Sequence, residues 1–255
     1  MAKKLTFLSI IVQRKWSLLY KTLLWSATLF LTALTGFWWL SLVVFFFVSL
    51  GIYFSEPPER RAFQTTYWFF SFSVFGLLCL QTASLNLVFA SFWASLLIII
   101  IAGIVFAGIL GMFRFSFINE PLAYSIINTV LFITLFIDIL ALAAPFSLGA
   151  AGLLLFIVLT LLFRENLLFL KVSPKQSILI GMVLGFLGLE LTWVILLLPL
   201  GIINSAALLT LFFILIRDFL SAHFRGILSS SFIFRQLTFL VLFTIIILAS
   251  SKWSL

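Results

Sequence analysis

The chain has 255 residues, of which 64% are hydrophobic and only 9% charged, and its formal net charge is +8. This composition excludes a soluble globular domain, because such a domain needs far more polar surface. The apolar stretches are continuous, which favours helices over the alternating strands of a barrel. The sequence therefore predicts an all-α polytopic transmembrane bundle, a single membrane domain over residues 1–255.

The first 21 residues form a basic flank that precedes the first crossing. Apolar residues recur at helical spacing and are interleaved with basic ones, which predicts an amphipathic helix on the cytoplasmic membrane face. A simple basic N-terminal flank accounts for the same residues, and both interpretations stay open. The segment lacks a small-residue cleavage site, so we do not expect a removable signal peptide. The apolar positions are Leu5, Leu8, Val12, Trp16 and Leu19.

About nine stretches approach the roughly 20 apolar residues that cross a bilayer, and short turns join them. Every Lys and Arg except Lys252 falls on one side of the resulting bundle. By the positive-inside rule, this asymmetry predicts that the N-terminus is inside and the C-terminus outside. We expect the membrane to be a bacterial cytoplasmic membrane. The predicted crossings are approximately residues 22–35, 40–54, 63–83, 87–112, 122–143, 150–163, 177–199, 204–220 and 237–250.

Glu190 lies well inside the seventh apolar stretch, nine residues before Pro199. At 1.5 Å per residue, this places its carboxyl roughly 13 Å below the outer end of the helix, close to the bilayer midplane. Burying an isolated carboxylate is expensive, whereas keeping an ordinary glutamate protonated at pH 7 costs only about 4 kcal/mol. We therefore expect Glu190 to be neutral, hydrogen-bonded and surrounded by neighbouring helices. It is then either a proton or cation site or a structural hydrogen-bonding group.

Asp138 is the second acid within an apolar stretch, seven residues before Pro145. Together with Glu190, Trp193 and Asn128, it could line a polar vestibule that serves as a substrate or proton site. The simpler interpretation is that Asp138 reaches water through local thinning of the membrane.

Two helices carry small residues at a spacing that lets another helix approach closely. On the seventh stretch, this face is about 180° around the helix from Glu190. These positions predict helix packing and no chemistry. They are Gly181, Gly185 and Gly188 on the seventh stretch, and Gly103, Ala107 and Gly111 on the fourth.

A mixed polar cluster follows the eighth crossing, with Arg217, His223 and Arg225 on one side of the loop and Arg235 across it. Such a cluster suits contact with a lipid head group. It also fits a basic stop with a local ion pair between Arg217 and Asp218.

The chain has one His and one Cys and lacks the motifs of nucleotide hydrolysis, zinc chemistry and nucleophilic catalysis. We therefore predict no catalytic residue, no metal and no cofactor. Membrane lipids are the expected partners, other membrane subunits are further candidates, and the placement of the basic residues argues against nucleic acid. Three functions remain: a structural or assembly subunit of a membrane complex, a permease or lipid-handling protein that uses Glu190, and an intramembrane lipid-modifying enzyme. The assembly role is preferred and the enzyme is least supported.

Overall fold

A computed structural model of the chain describes residues 2–35, 38–55, 64–82, 92–110, 120–143 and 148–251. Within these ranges all regular structure is helical and there is no strand. The predicted all-α fold is therefore confirmed. The helices are α1 (Ala2–Thr35), α2 (Trp38–Ser55), α3 (Gln64–Thr82), α4 (Phe92–Ile109), α5 (Glu120–Ala143), α6 (Leu148–Phe169), α7 (Pro174–Leu196), α8 (Ile202–Phe224) and α9 (Ser230–Ser250).

Five helices in the described part of the chain are long and apolar enough to cross a membrane. The four other predicted crossings fall on α1 to α4, of which α2 and α4 are shorter apolar helices where the structure describes them. Nine crossings therefore remain a prediction. The five spans are Tyr124–Leu142, Gly149–Phe169, Pro174–Leu196, Ile202–Phe224 and Ser230–Ser250.

Three helices extend by six residues or more at one end beyond the limits that hydropathy predicts. The basic N-terminal segment and the first crossing form one continuous helix, Ala2–Thr35, whose 34 residues measure about 51 Å. The sixth crossing was expected to stop at Arg164 but continues to Phe169. The ninth begins at Ser230 rather than near residue 237. Hydropathy marks the apolar part of a helix, whereas charged and polar residues continue its hydrogen bonding.

The chain divides into two compact units, Met1–Asn128 and Thr129–Leu255, and the prediction of one membrane domain stays a prediction. The first unit packs around aromatic side chains that are completely buried. The Trp25 ring lies parallel to Phe106, with ring centroids 4.1 Å apart, and also contacts Phe45 and Phe70. These four residues tie α1, α2, α3 and α4 together.

The second unit has its own aromatic core, formed where α5, α6 and α8 meet. Phe213 of α8 lies 5.3–5.9 Å, between ring centroids, from Phe132 and Phe136 of α5 and from Phe163 of α6. All four rings are at most 1% exposed. Helices that present Phe at these positions gain dispersion contacts and exclude lipid from the centre of the unit.

Helix α7 lies against α6 through its three glycines. A Cβ atom at Gly181 would be 2.6 Å from the Thr160 carbonyl oxygen, and one at Gly185 would be 2.8 Å from the Phe156 carbonyl oxygen. At Gly188 an added Cβ would overlap Leu159 of α6 and Phe213 of α8. The missing side chains therefore let the two backbones approach closely.

The α6–α7 and α8–α9 links begin with the same hydrogen-bonded turn. At the end of α8, Ile227 N donates to Ala222 O, and Gly226 adopts φ +69°. At the end of α6, Val172 N donates to Leu167 O, and Lys171 adopts φ +60°. Both are Schellman turns, in which the left-handed residue is usually glycine.

Candidate functional site

Helix α7 has two faces with different surroundings. One face, which includes Gly181, Gly185 and Gly188, is buried against α6 and Phe213. The opposite face is exposed along the whole helix. We call it the α7 seam, and it consists of Leu179, Val183, Phe186, Glu190, Trp193 and Leu197, whose five apolar members are 56–80% exposed.

Glu190 lies in the middle of the α7 seam and is exposed. The expectation that neighbouring helices surround this carboxyl is therefore wrong. The glycine face takes the close contact with α6, and Glu190 points about 180° away from Gly181. Within the residues that the structure describes, the Glu190 side chain makes no hydrogen bond or ion pair. A carboxyl group thus stands alone among large apolar side chains.

Asp138 and Asn128 differ from Glu190, because both are buried on α5. The Thr134 hydroxyl, one turn before Asp138, donates to the carbonyl oxygens of Val130 and Leu131 in its own helix. The structure thus places Asp138 inside the second unit and Glu190 on its surface. These two acids do not share one environment.

A cavity of about 230 Å³ lies beside the C-terminal half of α7. Its polar lining residue is Thr192, whose hydroxyl already donates to the Gly188 carbonyl oxygen at 2.7 Å. Trp193 lines this cavity, but neither Glu190 nor Asp138 does. The cavity is therefore apolar and gives neither acid a polar route. The lining residues are Ile139, Gly149, Ala151, Gly152, Leu155, Leu189, Thr192, Trp193 and Leu196.

The four residues of the predicted head-group cluster lie in two different environments. Arg217 is only 5% exposed, and its Nε and Nη2 atoms donate to Asp218 Oδ1 at 3.0 and 2.9 Å. Its Nη1 atom also donates to the Thr129 hydroxyl at 3.4 Å. His223, Arg225 and Arg235 are exposed near the α8–α9 link, where the Arg235 guanidinium lies 5.6 Å from the Phe232 ring centroid. The local ion pair between Arg217 and Asp218 is thus present in the folded chain.

Sequence inspection missed a second set of buried polar groups in α6. Glu165 and Asn166 follow the predicted crossing of residues 150–163, but they are 5% and 6% exposed inside the helix. The amide nitrogen of Asn166 has no hydrogen-bond partner within the described residues. Helical spacing is the sequence feature that indicates this burial, because Asn166 lies three residues after the core residue Phe163. Residues three apart share a helix face.

The small residues of α4 lie close to α1. A Cβ atom at Gly103 would be 2.7 Å from the Ser26 hydroxyl oxygen, and Ala107 is buried. Gly111 lies outside the described residues. The two described positions therefore support close packing of α4 against α1. Neither of them has a polar or ionisable side chain.

These observations define the class of the protein: it is all-helical where described, with several helices apolar enough for a membrane. Among the described residues, no three His, Cys, Asp or Glu side chains group together as metal ligands. No protein-family model matches this chain, and neither a curated protein nor a solved structure matches it.

Proposed function

We propose that this protein is a non-catalytic subunit that assembles with another membrane protein chain through the α7 seam. The observation that carries the proposal is the exposed carboxyl of Glu190 between the exposed rings of Phe186 and Trp193. An acid that faces hydrocarbon costs about 3 kcal/mol on insertion scales. A partner helix that supplies a hydrogen-bonding group removes this cost, so the exposed acid favours assembly.

Helix α9 provides a useful comparison, because it is an exposed apolar helix without an acidic residue. It is described along its whole length, and none of its residues is buried. Its Thr238 hydroxyl donates to the Phe234 carbonyl oxygen of the same helix. An exposed apolar helix without an acid is compatible with a lipid environment. Helix α7 also exposes the Glu190 carboxyl, which is costly to place in lipid.

The two alternative functions have less support from the geometry. A permease that uses Glu190 needs a polar path to it, and the cavity beside α7 is apolar. For a lipid-modifying enzyme, Arg225 and Arg235 offer exposed cationic groups for the head group, but the sequence lacks the motifs of nucleophilic catalysis. The assembly role requires neither feature.

The proposed setting is a bacterial cytoplasmic membrane, with the N-terminus inside and with lipids and other membrane subunits as partners. The distribution of basic residues in the second unit supports this orientation. Lys171 and Lys175 lie at the α6–α7 link, and Arg225 and Arg235 lie near the α8–α9 link. Consecutive spanning helices run in opposite directions, so these two links lie on the same side of the membrane.

The proposal predicts that the native mass of the protein depends on Glu190. Extracted from membranes with its lipids, the wild type should run well above its 28.8 kDa chain mass. Glu190→Leu should shift it towards the monomer, because leucine cannot form the interhelical hydrogen bond. Size-exclusion chromatography with light scattering measures this mass.

Glu190→Gln is the matched control, since an amide both donates and accepts hydrogen bonds. It should keep the larger mass. Circular dichroism should show equal helix content for all three proteins, because residue 190 lies outside the core. A monomeric wild type, or equal masses for the wild type and Glu190→Leu, would contradict the assembly role.

A further inference from the structure

The cavity beside the C-terminal half of α7 has a buried floor and an exposed mouth. Its floor includes Ile139 of α5 and Leu155 of α6, which are 3% and 1% exposed. Its mouth includes Gly149, Trp193 and Leu196, which are all exposed. All three helices are long and apolar enough to cross a membrane. The mouth therefore opens towards the surroundings of the second unit, which in a membrane are hydrocarbon.

Two glycines of α6 keep this space open. A Cβ atom at Gly149 would have no neighbour within 4 Å, and one at Gly152 would lie 3.4 Å from Leu189 Cδ1, an ordinary contact distance. Unlike Gly181 and Gly185, these two positions do not bring helix backbones into close contact, and neither has a positive φ. Glycine weakens a helix relative to alanine. What the two glycines provide in return is the volume of the cavity.

The lining favours an apolar occupant over water. Its one hydroxyl belongs to Thr192 and already donates to the Gly188 carbonyl oxygen at 2.7 Å. A buried water needs two to four polar partners, whereas an apolar cavity stays dry, and one of about 150 Å³ binds benzene. At about 230 Å³, this cavity has room for a larger apolar group. Such a group restores the dispersion contacts that the walls of an empty cavity lack.

The cavity lining extends along the helices. It covers Gly149 to Leu155 on α6, about 9 Å, and Leu189 to Leu196 on α7, about 10.5 Å. Spanning helices tilt only about 20° from the membrane normal on average, and lipid acyl chains run in the same direction. Gly149 lies in the first turn of α6, so one end of the cavity is close to the membrane surface.

We infer that the cavity binds one acyl chain of a membrane phospholipid. The chain enters at the exposed mouth and contacts the floor, and the head group stays at the membrane surface beside the first turn of α6. The apolar lining, the direction of the cavity and its opening towards hydrocarbon all fit this occupant. The inference does not depend on the assembly role proposed above, because Glu190 does not line the cavity.

Photolabelling in vesicles tests the inference. The protein is reconstituted in phosphatidylcholine that has a diazirine in the middle of one acyl chain, and labelled residues are mapped by mass spectrometry. Leu155 and Val158 are both buried on α6, but only Leu155 lines the cavity. Leu155 should receive at least about five times as much label as Val158, because a carbene reacts only with atoms in contact. Leu155 labelled no more than Val158 would overturn the inference.

Filling the cavity should exclude the chain. Gly149→Leu places a side chain where the structure has open space, and Gly51→Leu on α2 is the matched control, since a Cβ atom there also meets nothing within 4 Å. Gly149→Leu should lower the label at Leu155 about five-fold, to the background of residues without lipid contact. Leu154, which is 48% exposed, should keep its label from surrounding lipid in both variants. Equal label at Leu155 in Gly149→Leu and Gly51→Leu would contradict the site.

A second probe tests which part of the lipid enters. Phosphatidylcholine with the diazirine on its head group should label residues near the first turn of α6 and leave Leu155 at the background of Val158. Label from this probe at Leu155 would show that a head group occupies the cavity, and it would overturn the acyl-chain inference.

Discussion

Arg217 shows how a basic residue at a helix end is accommodated inside the protein. Its guanidinium is buried, and both Nε and Nη2 donate to one oxygen of Asp218. Asp218 itself is 33% exposed, so it keeps contact with the surroundings of the helix. The pair therefore joins a buried cation to a partly solvated anion on the same helix, and Thr129 connects it to α5.

Removing this cation should destabilise the second unit. Arg217→Met keeps much of the apolar stem but leaves Asp218 and the Thr129 hydroxyl without their donor. We expect a loss of about 1–3 kcal/mol in the free energy of unfolding, less than for a fully buried pair because Asp218 is partly exposed. Thermal unfolding in detergent measures the effect. Arg225→Met, at an exposed position after the same helix, is the control and should change the midpoint little. Equal midpoints for Arg217→Met and the wild type would contradict the structural role of the pair.

Glu190 illustrates a limit of sequence inference at the same scale. An acid within an apolar stretch is expected to find partners, and the surrounding residues are equally apolar on both sides of the helix. Apolar neighbours in sequence do not reveal whether a side chain faces protein or lipid. The glycine face of α7 packs against α6, and this contact leaves Glu190 on the opposite, exposed face of the helix.

At the scale of elements, the α6–α7 hairpin is held by close backbone contact. The Gly181 and Gly185 positions leave less than 3 Å between an added Cβ and a carbonyl oxygen of α6. No flexible side chain can move aside there, because the opposing atom belongs to the backbone. Glycine at these two positions is therefore required by space rather than by backbone conformation.

Adding one methyl group at this contact should loosen the hairpin. Gly181→Ala should lower the free energy of unfolding by about 1–3 kcal/mol through overpacking. Gly51→Ala is the control, since nothing lies within 4 Å of a Cβ atom built there on α2. In that helix, alanine should be neutral or stabilising by about 0.5–1 kcal/mol. Unfolding midpoints in one detergent compare the two variants. Equal shifts would show that the α6–α7 contact is looser than the structure indicates.

At the scale of the whole molecule, the order of the helices predicts which side of the membrane each link between them faces. In the proposed topology, the α6–α7 and α8–α9 links lie on one side of the membrane and the α7–α8 link on the other, because consecutive spans reverse direction. The basic residues of the second unit lie near the first two links. This arrangement agrees with the positive-inside rule.

Thiol accessibility should therefore alternate along the chain. In a Cys79→Ser background, Ile227→Cys and Lys175→Cys should react with a membrane-impermeant maleimide only from the inner side. Gly201→Cys should react only from the outer side. Labelling of intact cells and of inverted vesicles measures both. Reaction of Ile227→Cys and Gly201→Cys from the same side would contradict the proposed orientation.

Much of the architecture follows from the sequence because it depends on local properties. Continuous apolar runs determine helices, since backbone groups in hydrocarbon must bond within their own segment. The glycine spacing on α7 also pointed to its packing face. The limits of α1, α6 and α9 were misplaced, because polar residues such as Arg164 and Glu165 continue a helix without raising its hydropathy.

The sequence by itself determined that the chain is helical, that its apolar segments suit a membrane, and that its basic residues collect near particular links. Only the tertiary structure decided that Glu165 and Arg217 are buried while Glu190 is exposed. Lipid and protein interior are almost equally apolar, so hydropathy does not distinguish a helix face in contact with one from a face in contact with the other. That choice depends on the shapes of neighbouring helices, such as the glycine face of α7 against α6.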